Sequence, residues 1–74
     1  MKLLHINWND TKTYNSWVPN TYRDYVAKCE SVGWLVCEDD DSVILTSLIC
    51  KADINMRQVI PKGSITRRTV LETS

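Results

Sequence analysis

Trp8, Trp17 and Trp34, together with Tyr14, Tyr22 and Tyr25, are the residues of this 74-residue chain best suited to hold something. An aromatic face stacks on a base or fills a partner's groove, and Lys62, Arg67 or Arg68 can pair with a phosphate. The competing reading is structural: a chain with no phenylalanine builds its core from Trp and Tyr as well as from aliphatics. At least one of Trp8 and Trp17 should still meet water, because loop aromatics in so small a body cannot all be interior. Trp8, Asp10, Trp17, Lys62 and Arg67 are therefore the candidate ligand-binding residues. The rings would stack, the cations would take a phosphate, and the carboxylate would accept from a ligand donor.

Catalysis finds less support. His5 is the single histidine, in an extended stretch, and no Ser or Cys stands at a recognisable nucleophile elbow beside it. Without a nucleophile, a base and an orienting group, the expectation is a protein that is not an enzyme and needs no cofactor. The acidic run Glu38-Asp39-Asp40-Asp41 matches a cation loop only in charge. A calcium loop needs glycine at its sixth place, and counting from Asp39 that place is Ile44. A solvated hairpin tip is the better reading, with no metal. Pro61-Lys62-Gly63-Ser64 has the wrong residue order and no upstream glycine for a phosphate loop. Cys29, Cys37 and Cys50 are odd in number and spaced for neither a disulfide framework nor a metal knuckle, so reduced, buried thiols are expected.

Those side chains need a scaffold, and the chain is near the lower size limit for one. Seventy-four residues make at most one domain, whose core barely offsets chain entropy, so either a compact barrel or a partner subunit must help. An apolar fraction of 43% with 24% charged residues is that of a folding domain and not of a disordered tail. Nine basic and nine acidic residues cancel, so no global field draws the chain to nucleic acid or anionic lipid. Locally the carboxylates gather at 38–41, while Arg57, Lys62, Arg67 and Arg68 crowd the last third. Met1 to Asn7 is too soon interrupted by polar residues for a signal peptide, and no run reaches membrane-spanning length. An intracellular protein with no membrane contact is expected.

Side-chain alternation predicts a first strand over Leu3–Trp8, stopped by the turn chemistry of Asn9-Asp10-Thr11-Lys12. Tyr22, Tyr25, Val26 and Cys29 fall on one helical face behind a cap at Asn20 or Thr21, which predicts one to two helical turns from Thr21 to about Ala27. Ser31–Cys37 reads as a long strand bent at Gly33, since a glycine inside a strand marks a bulge, a bend or a close backbone approach. Glu38–Ser42 is the tip of a hairpin. Val43–Ile49, almost wholly aliphatic and β-branched, suits a strand covered on both faces. A loop over Cys50–Asn55 leads to a fourth strand, Met56–Ile60, ended by Pro61. One turn of 3₁₀ helix at Pro61–Ser64 precedes a closing strand, Ile65–Leu71, with Ile65, Arg67, Thr69 and Leu71 on one face. The predicted fold is mainly β, a five-stranded antiparallel SH3-like or Sm-like barrel with one short helix, in a single domain over residues 1–74. An open antiparallel sheet packed on the Thr21 helix is the competitor. Closure is preferred because it removes exposed edges.

Trp8-Asn9-Asp10, Gly33-Trp34-Leu35-Val36, Glu38-Asp39-Asp40, Val43-Ile44-Leu45 and Ile60-Pro61-Lys62-Gly63-Ser64-Ile65 together resemble small uncharacterised proteins encoded by bacteriophages. The resemblance runs from Trp8 to Leu71, with Thr13 to Lys28 unmatched. It implies a phage accessory protein on a small β-barrel in the host cytoplasm, and it supplies no catalytic residues. Phage proteins of this size commonly act by occupying something. The expected role is thus a non-enzymatic binder, a homo-oligomer, that sequesters a host protein or a small nucleotide-type anion in host takeover or counter-defence. Two rivals remain: an Sm-like or SH3-like binder of single-stranded nucleic acid, against which zero net charge argues, and a virion component.

Overall fold

The computed structural model of the chain describes residues 1–10, 17–21 and 26–73. Five antiparallel strands form one sheet: β1 (Lys2–Asp10), β2 (Ala27–Glu38), β3 (Ser42–Cys50), β4 (Asp53–Pro61) and β5 (Ile65–Thr73). Their order is β4-β3-β2-β1-β5, so β4 and β5 are edges, and the sheet is open where a closed barrel was expected. Among the described residues there is no α-helix. The helix expected over Thr21–Ala27 lies largely outside the described residues, and Ala27 itself opens β2.

β2 is the hinge of the sheet. Its first half pairs with β1, from Asp10↔Ala27 to Leu3↔Trp34, and its second half pairs with β3 from Trp34↔Thr46 to Glu38↔Val43. Gly33 sits where the partners change and is buried. A Cβ built there would stand 3.0 Å from both Leu45 Cβ and the Thr46 carbonyl oxygen. The glycine thus serves a close backbone approach that lets β3 fold over β1. The turn chemistry at Asn9 and Asp10 does not stop β1, because Trp8, Asn9 and Asp10 find ladder partners in Cys29, Lys28 and Ala27. Ladder bonds to a neighbouring strand outweigh local side-chain competition.

The fold of β3 and β4 over β1 encloses a small core of Leu4, Ile6, Val43, Leu45 and Ile60, with Trp8, Leu35 and Ile65 packed against it. Two bulges decide which polar residues share that inner face, since directly opposed residues in a ladder lie on one side. Val36 is the extra residue between Leu35↔Leu45 and Cys37↔Ile44, which turns Glu38, opposite buried Val43, inward. Thr66 is the extra residue between Asn7↔Arg67 and Trp8↔Ile65, which puts Ile65, Arg68 and Val70 on the inner face and Arg67 and Thr69 on the outer. The simple alternation expected of the last strand is therefore broken at its second residue.

β3 is covered only over its first half. Val43, Leu45 and Thr46 are buried, but Ser47 to Cys50 are exposed, correcting the expectation of a strand covered on both faces. Nor is Cys50–Asn55 a loop: Cys50↔Asp53 and Leu48↔Asn55 continue the ladder around a two-residue turn at Lys51-Ala52. The thiols depart from expectation as well, since Cys37 and Cys50 are exposed and only Cys29 is half-buried. At the root of this arm Thr46 is 1% exposed, and its hydroxyl lies within donating distance of the carbonyl oxygens of both Leu48 and Asn55, its single proton going to one at a time, where the hairpin leaves the body. The 3₁₀ turn expected before β5 is present at Lys62–Ser64, held by Ser64 Oγ donating to the Pro61 carbonyl at 2.8 Å.

Lys51 heads the arm's turn with φ 56°. A side chain in that left-handed conformation costs about 1 kcal/mol or more, while glycine adopts it freely. Lys51→Gly exchanges that strain for the roughly 0.5–1 kcal/mol of entropy that glycine loses on folding, so the urea midpoint is expected to stay unchanged or rise slightly; a fall equivalent to about 1 kcal/mol would refute strain at this turn.

Candidate functional site

The sheet's outer face is polar where its inner face is apolar. On β1, His5, Asn7 and Asn9 alternate with buried Leu4, buried Ile6 and core-packed Trp8. Across the ladders, Asn7 lies between Glu30 of β2 and Arg67 of β5, and Asn9 lies opposite Lys28. His5 Nε2 is 3.1 Å from Glu30 Oε1. Asn7, Trp8, Asn9, Lys28, Glu30 and Thr66 line a recess of about 470 Å³ here. That is within the roughly 300–1,000 Å³ range of small-ligand pockets. Thr66, the bulged residue, donates its hydroxyl to the Asn7 carbonyl at 3.2 Å, so the irregularity in β5 also shapes the rim. Asn7 Oδ1 is buried and accepts no hydrogen bond from the described residues. Among those residues neither Lys28 nor Arg67 is held in an ion pair, so both charges remain available to an anion.

Of the residues read from the sequence, Trp8 lines this recess, and Arg67 stands beside it on β5, opposite Asn7. Trp8 is fixed there: it packs against the core, and its Nε1 donates to Ser31 Oγ at 2.9 Å. Asp10, half-buried, follows one position beyond the Asn9↔Lys28 pair, at the end of β1. Trp17 is fully exposed, at 102% of its reference area. Sequence reasoning misses Asn7, Asn9, Lys28, Glu30 and Thr66. The polar half of the β1 alternation is the signal that could have found the two asparagines.

Lys62 is elsewhere and already engaged. Its Nζ lies 3.1 Å from Glu38 Oε2, and Arg68 closes on the same carboxylate with Nη1 and Nη2 at 3.1 and 3.0 Å. These contacts join the end of β2 to the 3₁₀ turn and to β5, across the mouth that no ladder closes. Hydrogen bonds from Arg68 and then Lys62 hold the Glu38 carboxyl at about 2, below its ordinary 4.5. The neighbouring Asp39 carboxylate is lowered too, chiefly by the Asp41 and then the Ser42 backbone N–H, each 2.8 Å from Oδ1. The acidic turn thus spends its first aspartate on its own backbone.

A depressed carboxyl stabilises the fold fully above its unfolded pKa and loses that contribution as pH falls through the folded value. For Glu38 the window runs from 4.5 down to about 2. Glu38→Gln is expected to lower the urea midpoint at pH 7 and to flatten its acid dependence in that window, so that the two proteins converge near pH 2. The Asp39 contribution stays in both. Parallel pH profiles for variant and wild type would show that the latch adds nothing.

Compared with protein-family models, with curated proteins and with solved structures, the chain finds no match.

Proposed function

We propose that this chain is a non-enzymatic bacteriophage accessory protein of the host cytoplasm that sequesters a small anionic ligand of nucleotide type in the outer-face recess. The observation that carries the proposal is the pair of cations, Lys28 and Arg67, flanking the amides of Asn7 and Asn9 with no carboxylate bound to either cation among the described residues. Cations of this kind take a phosphate and amides read a polar ring edge. We further infer an SH3-like or Sm-like ancestry. It rests on the meander order, the return of β5 to β1, the long β2 that pairs with β1 over its first half and β3 over its second, and the 3₁₀ turn ahead of β5.

Thermal unfolding against a panel of nucleoside mono-, di- and triphosphates tests the binding directly. A ligand at one hundred times its Kd stabilises the folded state by about 2.7 kcal/mol. Lys28→Glu and Arg67→Glu, at exposed positions, should each weaken that response at least tenfold while leaving unliganded stability nearly unchanged. No response to any nucleotide, with none recovered bound to protein from infected cells, would end this reading. The same variants in a salt titration with single-stranded RNA separate the nucleic-acid alternative, which demands a steep loss of affinity as salt rises. Capture of a host protein is favoured by one feature, the fully exposed Trp17, since exposed indoles are frequent anchors of protein interfaces.

A further inference from the structure

We propose that Ser47 and Met56 form a hinge on which the outer half of the β3–β4 hairpin moves as one unit between two arrangements. The inference is independent of the ligand reading. Pairing between β2 and β3 ends at Thr46, and beyond it the arm has, among the described residues, no ladder but its own: Leu48↔Asn55, Ile49↔Ile54 and Cys50↔Asp53. At that same level the backbone of β4 leaves the extended region. Met56 stands inside the strand with φ 53°, in left-handed space that long apolar side chains seldom enter. Its side chain is 64% exposed, so burial does not account for the conformation. Strain of this kind persists only where neighbouring bonds enforce it, and it recurs at switch regions.

Side chains supply the hydrogen bonds that enforce it. Met56 N–H donates to Asn55 Oδ1 at 2.7 Å. Leu48 N–H donates to Thr46 Oγ1 at 3.4 Å, and the Thr46 hydroxyl in turn faces the carbonyl oxygens of Leu48 and Asn55. Ser47 and Met56 are the pair missing between Thr46↔Arg57 and Leu48↔Asn55, yet the register is the same on both sides of the gap, with no residue inserted. An extended Met56 would therefore stand opposite Ser47 and complete the ladder without a slip of either strand. The two arrangements exchange one set of bonds for another: side-chain bonds around a left-handed Met56, or a direct Ser47↔Met56 pair around an extended one. Such an exchange is what a two-state element needs. Thr46, Ser47 and Met56 also line a shallow groove with Val32 and Gln58, so the movement reshapes its wall.

NMR relaxation dispersion on the full chain should show residues 47–56 exchanging with one shared rate and population on the microsecond-to-millisecond scale, while Ile6 and Val43 stay flat. The carbon chemical shifts at position 56 report which arrangement is the major one. Asparagine tolerates the left-handed region and a β-branched residue does not. Met56→Asn should therefore lower the minor population about threefold or more, and Met56→Ile should make the extended arrangement the major one. Both should leave hydrogen exchange at the core amides of Leu4, Ile6 and Val43 within about twofold of wild type. Flat dispersion over residues 47–56 in wild type overturns the proposal, as does exchange confined to the tip at Lys51 and Ala52, which is fraying. So does a Met56→Ile variant that stays left-handed, or one that loses protection in the core as well as in the arm, since position 56 would then be fixed by the fold as a whole.

Discussion

Ile60→Ala is expected to remove most of the stability of this protein. Ile60 is fully buried and joins β4 to the core made by Leu4 and Ile6 of β1 and Val43 and Leu45 of β3. Truncating a buried isoleucine to alanine costs about 2–5 kcal/mol, from lost transfer energy and from the cavity left behind. A domain of this length has only about 4–11 kcal/mol to lose. The core also has few members to rearrange, which keeps the cost toward the upper end. In urea the midpoint should fall by half or more with the slope nearly unchanged. Val59→Ala, one residue earlier on the same strand and 62% exposed, should move the midpoint by no more than about 0.5 kcal/mol equivalent. Equal effects at the two positions would mean that β4 does not present Ile60 inward, and the register of the β3–β4 hairpin would have to be redrawn.

How much of this is legible in the sequence depends on whether a residue's role is local. The acidic hairpin tip, the stop at Pro61 with its 3₁₀ turn, and the close backbone approach at Gly33 each follow from the conformational preferences of the residues themselves, and each is found. The number of strands and their antiparallel order follow from spacing. What fails are statements about sides. One extra residue at Val36 and one at Thr66 reverse the alternation, and no residue type in either place announces a bulge. Those reversals bring Glu38 to Arg68 and Lys62, and that contact takes Lys62 out of the set of free cations. Coverage fails for a related reason. The aliphatic run Val43–Ile49 specifies a strand, but whether its second half is covered depends on how far β2 extends beside it, and that pairing stops at Thr46. The excess of apolar residues that in the sequence suggests a buried central strand lies instead on an exposed arm. Trp8 and Arg67, by contrast, stand out by their chemistry, the first lining the recess and the second beside it opposite Asn7, while the polar stripe His5-Asn7-Asn9 looks in the sequence like nothing more than the solvent face of β1.

Gly33→Val should be nearly as damaging as the loss of Ile60, by the opposite mechanism. A β-carbon at residue 33 has nowhere to go: Leu45 Cβ and the Thr46 carbonyl oxygen both stand 3.0 Å from its ideal position. Neither is the tip of a flexible side chain. Both are fixed to the backbone of β3, so relief requires β3 to move away from β2, and with it the pairs Trp34↔Thr46 and Leu35↔Leu45. Overpacking of this kind costs about 1–3 kcal/mol for the first inserted carbons, and the branched valine adds more atoms to the same gap. Working against this, a side chain in a strand restores roughly 0.5–1 kcal/mol of the entropy that glycine loses on folding. Gly33→Ala should therefore be mildly to moderately destabilising and Gly33→Val severely so, in that order. Gly63 supplies the control, because a β-carbon there meets no atom within 4 Å. Gly63→Ala should be neutral or gain up to about 1 kcal/mol through a less flexible unfolded chain. Should Gly33→Val instead match Gly63→Ala, β2 and β3 would not be in backbone contact at the bend. The fold of β3 and β4 over β1, which encloses the core and sets the arm free, would then need another cause.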